Sequence, residues 1–500
     1  MKHKNTIILG IIIAIVLVIR IFIAFQTQDL TYDAYFTLRN IEHIKEQGVP
    51  LYQDDLSYGG RQNAFSPLYY YILTLFSFIL PEIIVLKILP NIFAVSTIIV
   101  VYLFSKFLSK NEEASLIAAG ASAIIPLFFS NTINNASIYT LVIPLFFLSL
   151  YYFLKTVSNT NNLWKFLTSI TLLSLTHASS LILALGLLIY VLLLKIQGFK
   201  KSSKEPELLL FSIFLIIWAN LTIYKRAITM HGSTVIYQNT PIQLILDIYK
   251  ELTFVESLYW IGTIPLLFGV ITIYDAVFGS RKKTITSLIA ICITFFLLLW
   301  FKLINLYVGL MFLGITMSIL SSGAISKTLI YAENLKFKIA KPSLKILLII
   351  LILISFVPAI SISIQGAQNT PSENDKEAFE WIRENTNETA IILTIPEEGS
   401  AMSYYAKRGN AIDEKFLLIR NIDIRYQELQ RIYTDRLLIP ALTKLNYYSI
   451  DYILMSEHAK KINNVTRLFY EDDDCIKRVY GYISTGPEIY KVNCTVTLNR

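Results

Sequence analysis

The chain has 500 residues, of which 54% are hydrophobic and only 16% are charged, and its formal net charge is +8. A soluble globular chain carries about a quarter charged residues, so this composition excludes an ordinary soluble protein. The excess of bases does not indicate nucleic-acid binding, because the bases cluster in short loops between apolar runs, as membrane orientation signals do. We therefore predict an α-helical polytopic membrane protein with the lipid bilayer, and no nucleic acid, as a partner.

The apolar residues fall in about eleven runs, each near the length that crosses a hydrocarbon core of about 30 Å as a helix. We interpret the first run as an anchoring helix rather than a cleaved signal peptide, because no small-x-small cleavage site follows it. The tyrosine-rich segment 66–80 is short for a span and is predicted to lie at the membrane interface. The fold class is thus about 11 to 13 transmembrane helices. The predicted spans are residues 6–25, 83–108, 113–130, 138–155, 163–177, 179–197, 207–224, 257–277, 285–301, 304–322 and 344–364.

Basic side chains are concentrated in every second loop, which orients the chain by the positive-inside rule. This pattern predicts a multi-pass protein of the cell membrane with a cytoplasmic N-terminus. It divides the chain into a transmembrane domain, residues 1–365, whose first outer loop is 26–82, and an extracytoplasmic domain, residues 366–500. The inner loops contain, among other bases, Lys106, Lys110, Lys155, Lys195 and Lys283.

Composition changes after residue 366. Residues 373–390 have the pattern of a polar amphipathic helix, and a β-branched run follows. Further helical and strand patterns, ending in two strands within 475–494, predict a soluble α/β domain. Cys475 and Cys494 lie near opposite ends of that last pair of strands, and an exported domain permits a disulfide between them. Two free thiols are the alternative, because spacing alone does not supply the required Cα separation.

The first outer loop is unusually polar for its place between two apolar runs. Asp33 follows the first run by eight residues and stands among aromatic side chains at the start of a predicted amphipathic helix that Gly48 ends. We expect this helix to lie on the outer membrane surface. Asp54 and Asp55, by contrast, are interpreted as solvated loop acids.

Three short stretches in the same order as the spans carry a family resemblance: DAYFTLR (33–39), LSYGGR (56–61) with the following PLYY, and EWIRENTNETAIILT (380–394). They resemble the GT-C membrane glycosyltransferases, and among them archaeal members and the catalytic subunit of oligosaccharyltransferase. The resemblance implies transfer of a sugar from a polyprenyl- or dolichyl-phosphate-linked donor, with inversion, to a glycan, lipid or protein acceptor on the outer face. The family's first-loop acid is a general base or a metal ligand, and Asp33 takes that place here.

Departure of a lipid phosphate requires fixed positive charge near the leaving group. The outer loops offer Arg61, Arg226 and Lys302 as donor-binding candidates. Lys302 stands alone between apolar spans, where a cation without a role is costly, although it could also snorkel to the headgroups. His177 at an outer span end either contacts the donor phosphate or caps a short helix.

Two departures from the family pattern bear on the predicted metal site and on the predicted acceptor. Metal-dependent relatives carry acids in the next outer loop, where this chain has Asn134 and Asn135. Mg²⁺ or Mn²⁺ would find only uncharged amides there, so two alternatives stay open: no cofactor, or a divalent cation weakly held by Asn134 and Asn135. The WWDYG motif of oligosaccharyltransferase is absent, and Glu397 and Glu398 stand at its place, which favours transfer of a monosaccharide over transfer of a whole glycan to a sequon. We place Tyr35, Glu397 and Glu398 on the acceptor side, with exposed loop acids as the alternative for the two glutamates.

Two other classes of function remain open. A transporter or flippase of lipid-linked sugars would need charged residues within the spans, and Arg20 and Lys87 lie nearest to the middle of apolar runs. An inactive scaffold that keeps the fold would tolerate the asparagines at 134 and 135.

Overall fold

The computed structural model describes residues 2–199, 204–279, 282–336, 339–482 and 485–496. The chain forms two compact units, which we name the helical unit and the α/β unit. The helical unit comprises Met1–Gln28, Phe65–Lys225 and Asp247–Gln368, and the α/β unit comprises Asp29–Ala64, Arg226–Leu246 and Asn369–Arg500. Most of the first outer loop, which the sequence analysis assigned to the transmembrane domain, thus belongs to the α/β unit.

The helices and strands are numbered along the chain. The helices are α1 (Lys2–Ala24), α2 (Ala34–Gln47), α3 (Leu68–Ser77), α4 (Glu82–Ser109), α5 (Glu112–Ser122), α6 (Pro126–Ser130), α7 (Tyr139–Ser158), α8 (Leu163–Thr176), α9 (Ser180–Ile196), α10 (Lys204–His231), α11 (Ile242–Glu251), α12 (Phe254–Ile261), α13 (Thr263–Phe278), α14 (Lys283–Trp300), α15 (Leu306–Glu333), α16 (Ala340–Ala367), α17 (Glu373–Asn385), α18 (Pro396–Ala406), α19 (Ile422–Thr434), α20 (Leu438–Tyr447) and α21 (Glu457–Asn463). The strands are β1 (Gln53–Asp54), β2 (Arg61–Gln62), β3 (Ile391–Leu393), β4 (Gly409–Asn410), β5 (Tyr452–Met455), β6 (Ile476–Tyr482) and β7 (Thr485–Val492).

The helical unit confirms a multi-pass membrane protein. Within the described ranges, 7 helices are long and apolar enough to cross a bilayer, and these are α1, α4, α7, α10, α14, α15 and α16. Helix α15 is the buried centre of the unit, with 83% of its most apolar window inside the protein, and it packs on α13, α5 and α4. A helix that is apolar on all sides and buried on all sides is expected at the core of a bundle.

The remaining predicted spans are helices that are short or interrupted. The span predicted at 113–130 divides into α5 and α6, because Pro126 begins a new helix at its first turn. The span predicted at 257–277 consists of α12 and α13, which bend by 89° at Gly262. Gly262 has φ 98°, a conformation that favours glycine. Helices α8 and α9 are 14 and 17 residues long, below the roughly 20 that a straight span needs.

Arg20 and Lys87 are both buried in the helical unit and both have polar partners there. Arg20 donates from Nε to Asn91 Oδ1 at 2.9 Å and from Nη2 to Thr132 Oγ1 at 2.6 Å. Lys87 donates to the backbone carbonyl of Thr27. Because these bonds join α1, α4 and the loop after α6, the two cations hold helices together.

The α/β unit contains a mixed five-stranded sheet in the order β4-β3-β5-β7-β6. Strand β3 runs parallel to β4 and β5, whereas β7 is antiparallel to β5 and β6. The predicted amphipathic helix is α17, whose N-cap Ser372 forms a capping box with Asp375 and whose buried side includes Phe379 and Ile382. The β-branched run that follows it is β3, and the predicted last pair of strands is β6 and β7. The C-terminal α/β fold is therefore confirmed.

Cys475 and Cys494 form a disulfide, with their Cα atoms 4.7 Å apart. That separation lies within the range that a disulfide requires. The pairing considered for the ends of the last two strands is thus present, and the alternative of two free thiols is wrong. Cys292 in α14 is a free, buried cysteine.

Candidate active site

Asp33 stands at the N-cap of α2, in the α/β unit. Its side chain makes no capping hydrogen bond and is exposed, whereas Tyr32, Ala34 and Tyr35 around it are buried. Of the 14 residues of α2, most are buried and Gly48 ends the helix with φ 77°. The expectation of a helix lying on the membrane surface is therefore wrong, because protein surrounds α2 on most of its faces. The start of α2 is packed against protein, and it presents the Asp33 carboxylate to solvent.

Two further acids approach the Asp33 carboxylate. The carboxyl group of Glu414 is hydrogen-bonded to that of Asp33, and Glu397 lies close enough for its charge to act on both. Burial raises the pKa of Glu414 well above its usual range, and the charge of Asp33 and the hydrogen bond to it raise it further. These effects favour the protonated form of Glu414 as the donor of the hydrogen bond to Asp33, whose other lone pairs stay available to a ligand.

Glu397 and Glu398 occupy the first turn of α18, just after β3. Glu398 is fully buried, accepts a hydrogen bond from Ser456 Oγ at 2.6 Å, and has its pKa raised to about 8, chiefly by burial. Burial also raises the pKa of Glu397, and the charge of Asp33 adds to that effect. The alternative of exposed loop acids is therefore wrong for Glu398. Glu397 is one of the carboxyl groups that surround Asp33.

Tyr35 is buried beneath this surface and forms part of a hydrogen-bonded chain. Its hydroxyl lies 2.8 Å from that of Tyr405, which donates to Asp29 Oδ1 at 3.2 Å. Lys376 Nζ lies 2.9 Å from Asp29 Oδ2. The chain ties α2 to α17 and α18, so Tyr35 fixes the helix that carries Asp33 and does not itself reach the surface.

Arg61 is held in a buried ion pair. Its Nη2 lies 3.1 Å from Asp413 Oδ1, and a second donor reaches the backbone carbonyl of Lys415. Asp413 also accepts from Ser57 Oγ at 2.6 Å. The expectation that Arg61 contacts a donor phosphate stays a prediction, but a carboxylate already neutralises this guanidinium. Asp54 is likewise buried and paired with Arg39 at 2.5 Å, so the solvated interpretation holds for Asp55 but is wrong for Asp54.

Three other predicted site residues lie in the helical unit or on the helix that leaves it. Arg226 is exposed on α10, past the boundary with the α/β unit, and Lys302 is exposed between α14 and α15, where its Nζ lies 5.4 Å from the centroid of the Tyr249 ring. His177 Nδ1 contacts Ser179 Oγ at 2.8 Å at the end of α8, which is the capping role considered for it. Of the donor-binding residues predicted from the sequence, Lys302 is thus the exposed cation that lies in the helical unit.

The asparagines of the second outer loop do not form a metal site with the chain's acids. Asn134 donates to the backbone carbonyl of Ala367 at 3.0 Å, and Asn135 donates to that of Asn131. Across the described ranges, no group of three or more His, Cys, Asp and Glu side chains is arranged to hold a metal ion.

Glu414 is the residue of this site that sequence reasoning missed. It follows β4 by four residues, and the adjacent acids Asp413 and Glu414 were the available signal. Nothing in the local pattern states that one of the two faces Arg61 and the other faces Asp33. Arg420 and Arg425, which join Arg61 in lining a cavity of the same unit, were also missed.

Comparisons with known proteins identify the fold. No protein-family model and no curated protein sequence matches the chain. The oligosaccharyltransferase of Archaeoglobus fulgidus matches with TM-score 0.71 and 14% identity, over 91% of this chain and 70% of that one. ArnT from Cupriavidus metallidurans matches with TM-score 0.58 and 10% identity, over 98% of both chains. The mycobacterial arabinofuranosyltransferase AftD matches with TM-score 0.57 and 12% identity, over 97% of this chain and 40% of that one.

Two further solved structures of these proteins contain ligands. The archaeal enzyme, named AglB, is in complex with an inhibitory peptide and a dolichol-phosphate, and ArnT is bound to undecaprenyl phosphate. At such low identity the likeness establishes the fold and leaves the reaction to be argued from the site. The chain has the GT-C fold, with a multi-pass helical unit and a C-terminal α/β domain.

Proposed function

We propose that this protein is a membrane glycosyltransferase that moves a sugar from a polyprenyl-phosphate-linked donor to an acceptor on the outer face of the membrane. The observation that carries the proposal is the Asp33 carboxylate, exposed at the start of a packed helix and hydrogen-bonded to Glu414. A general base needs an accessible acceptor group in a fixed position, and this arrangement provides one.

The proposed reaction is a single displacement with inversion. An acceptor hydroxyl gives its proton to Asp33 as its oxygen bonds to the anomeric carbon of the donor sugar. The bond from that carbon to the phosphate oxygen breaks on the opposite side, and its electron pair leaves with the polyprenyl phosphate. Charge grows on the departing phosphate, so a nearby cation stabilises the transition state more than the ground state.

Lys302 is our candidate for the cation that faces the donor phosphate. It is exposed and has no carboxylate partner among the described residues, unlike Arg61. A lysine beside apolar helices is suited to a phosphate on a lipid chain, whose tail needs an apolar surface and whose head needs charge. The polyprenyl phosphates bound to AglB and ArnT support this class of donor.

The acceptor site follows from the acids around Asp33. Glu397 flanks the base and is suited to accept a hydrogen bond from a sugar hydroxyl, while Tyr35 holds the base from beneath. The missing WWDYG motif argues against an Asn-x-Ser/Thr acceptor for a whole glycan. We therefore propose transfer of a monosaccharide to a hydroxyl of a glycan, lipid or protein, with the N-terminus cytoplasmic and the α/β unit outside.

A transfer assay separates this proposal from its alternatives. Membranes that contain the protein are supplied with labelled polyprenyl-phosphate sugars, and the label is followed into products that resist organic extraction or chromatograph as glycosides. Transfer with inverted anomeric configuration is the expected result. Movement of the label across the membrane without a new glycosidic bond would identify a flippase, and retention of the donor's anomeric configuration would overturn the single displacement.

A flippase would need charged residues within the spans, and the chain has few. Arg20 and Lys87 lie nearest to the middle of apolar runs, and both are buried with polar partners inside the helical unit, where they join helices.

A further inference from the structure

Four arginines line one cavity of the α/β unit. The cavity has a volume of about 430 Å³ and receives Arg61, Arg226, Arg420 and Arg425. Arg61 is buried, Arg425 is partly buried, and the other two are exposed. Small-molecule sites commonly measure about 300 to 1,000 Å³, so this cavity is large enough for a ligand and strongly basic.

The positive charge of this arginine cavity is only partly neutralised by the protein. Among the described residues, Asp413 pairs with Arg61, while no carboxylate pairs with the other three arginines. Arg425 lies between two rings, with its guanidinium carbon 4.9 Å from the Tyr58 centroid and 4.8 Å from that of Tyr448. The Nε atoms of Arg61 and Arg425 are buried without a hydrogen-bond partner. Burial lowers the pKa of Arg425, as expected for a cation that lacks an anion beside it.

The cavity is built before any ligand arrives. Asn239 donates from Nδ2 to the backbone carbonyls of Phe416 and Ile419, at 3.0 and 2.9 Å, and so ties the segment after Arg226 to the loop that carries Arg420. Within that loop Leu418 has φ 70°, a strained conformation for a branched side chain. Strain of this kind persists only where surrounding contacts enforce it, and it is concentrated at functional sites.

The chemistry of the lining indicates the ligand. Arginine forks bind carboxylate, sulfate and phosphate groups with two parallel hydrogen bonds. Gln53 and Gln62 also line the cavity, pair directly across β1 and β2, and are both exposed. Side chains directly opposite on two strands share a face, and amides both donate to and accept from hydroxyl groups. The arginines are suited to bind an acidic group, and the neighbouring amides are suited to bind hydroxyl groups. A sugar that carries an acidic group has both.

The position of the cavity relates it to Asp33. Asp413 and Glu414 are consecutive in the chain. Asp413 pairs with Arg61 of the arginine cavity, whereas Glu414 pairs with Asp33. The segment between Asn410 and Phe416 therefore connects the proposed base to the arginine cavity within one unit.

We propose that the arginine cavity binds an acidic sugar unit of the acceptor, a uronate or a sugar bearing phosphate or sulfate, while a neighbouring unit presents its hydroxyl to Asp33. The acceptor assignment rests on the proposed transferase function. Binding of the acidic sugar needs no turnover and can be tested by itself.

The test measures binding to the full-length protein in lipid nanodiscs. The probe is trigalacturonate, and maltotriose is its neutral counterpart of the same length. We expect trigalacturonate to bind and maltotriose to bind at least about tenfold more weakly. The double variant Arg226→Gln/Arg420→Gln should weaken trigalacturonate binding at least about tenfold, because two charge-assisted hydrogen bonds are lost. Arg383→Gln, which removes an exposed arginine of α17 that lies outside the cavity, should bind as the wild type does.

Each other outcome overturns the proposal. Equal binding of maltotriose, or no binding of either trisaccharide, would remove the acidic-sugar ligand. Loss of binding in Arg383→Gln would show a non-specific charge effect. Displacement of trigalacturonate by polyprenyl phosphate in the same discs would assign the cavity to the donor. The two proposals are separated by their assays, because trigalacturonate binding needs neither donor nor turnover and is measured even where no sugar transfer is detected.

Discussion

The carboxyl group of Glu414 donates a hydrogen bond to the carboxylate of Asp33, across the surface of the α/β unit. The pair joins the start of α2 to the loop after β4, two places far apart in the chain. Glu414 is half-buried whereas Asp33 is exposed, so Asp33 is the acid of the pair that faces solvent. This division of roles is the basis of the reaction proposed here.

Glu414 should set the alkaline limit of activity. A carboxyl with a raised pKa keeps its proton to higher pH, so Glu414 supports Asp33 at neutral pH and repels it once it ionises. We expect Glu414→Gln, which still donates a hydrogen bond, to stay active and to extend the alkaline side of the pH profile of kcat/KM. Glu414→Leu should lose about ten- to a hundredfold in kcat/KM.

The exposed Asp55 of the same loop supplies the control. Asp55→Asn should leave the pH profile unchanged, since its carboxylate does not contact Asp33. An unchanged alkaline limb in Glu414→Gln would show that Glu414 does not act on the base.

Glu398 should make the α/β unit less stable as pH rises. Its pKa is raised from 4.5 in the unfolded chain to about 8 in the fold. A raised folded-state pKa means that the folded protein binds more protons in this interval, so the stabilisation present below about pH 4.5 is lost as pH rises through about 8. Glu398→Gln cannot ionise and should increase the free energy of unfolding at pH 8.5 by about 1 to 3 kcal/mol. At pH 5 the variant should match the wild type within about 1 kcal/mol. Chemical unfolding at the two pH values is the measurement, and equal gains at both would contradict the assignment.

The buried pair of Arg61 and Asp413 should couple strongly. Breaking one partner of such a pair leaves a buried charge and costs about 3 to 5 kcal/mol. A double-mutant cycle with Arg61→Met and Asp413→Asn should therefore give a coupling of a few kcal/mol, by thermal or chemical unfolding. The control is the pair of Lys407 and Glu42, whose side chains are 54% and 34% exposed and which should couple by no more than about 1 kcal/mol. Equal coupling in the two cycles would show that Arg61 and Asp413 are not held as a buried pair.

Reduction of the disulfide should loosen the last two strands. The bond between Cys475 and Cys494 closes a loop of 19 residues, for which the chain-entropy model gives about 3 kcal/mol. A reducing agent should lower the unfolding temperature of the wild type and have no effect on the Cys475→Ser/Cys494→Ser variant. If the agent lowers both equally, the effect does not come from this bond.

The sequence predicted elements whose signals are local. Helix α17 has its capping box and its apolar side within one stretch of chain, and β3 follows as a β-branched run. Asp33 was predicted because family resemblance and position agree on it. The interruptions at Pro126 and Gly262 have local signals too, but averaging over about 20 apolar residues concealed them.

Other features depend on contacts between distant segments. The burial of Asp54 and Glu398 follows from how the first outer loop and the C-terminal domain fold into one unit, which hydropathy does not describe. For the same reason no local pattern singles out Glu414. Arg420 and Arg425 are brought together with Arg61 and Arg226 only by the fold of the α/β unit.

The rate of sugar transfer by Asp33→Asn tests the central proposal most directly. Purified wild type and variant are compared in liposomes with the same labelled polyprenyl-phosphate sugar and acceptor. Asparagine keeps the size of the side chain but accepts no proton at neutral pH, so we expect transfer to fall by about a hundred- to ten-thousandfold. Transfer by the variant within about threefold of the wild-type rate would contradict a base role for Asp33.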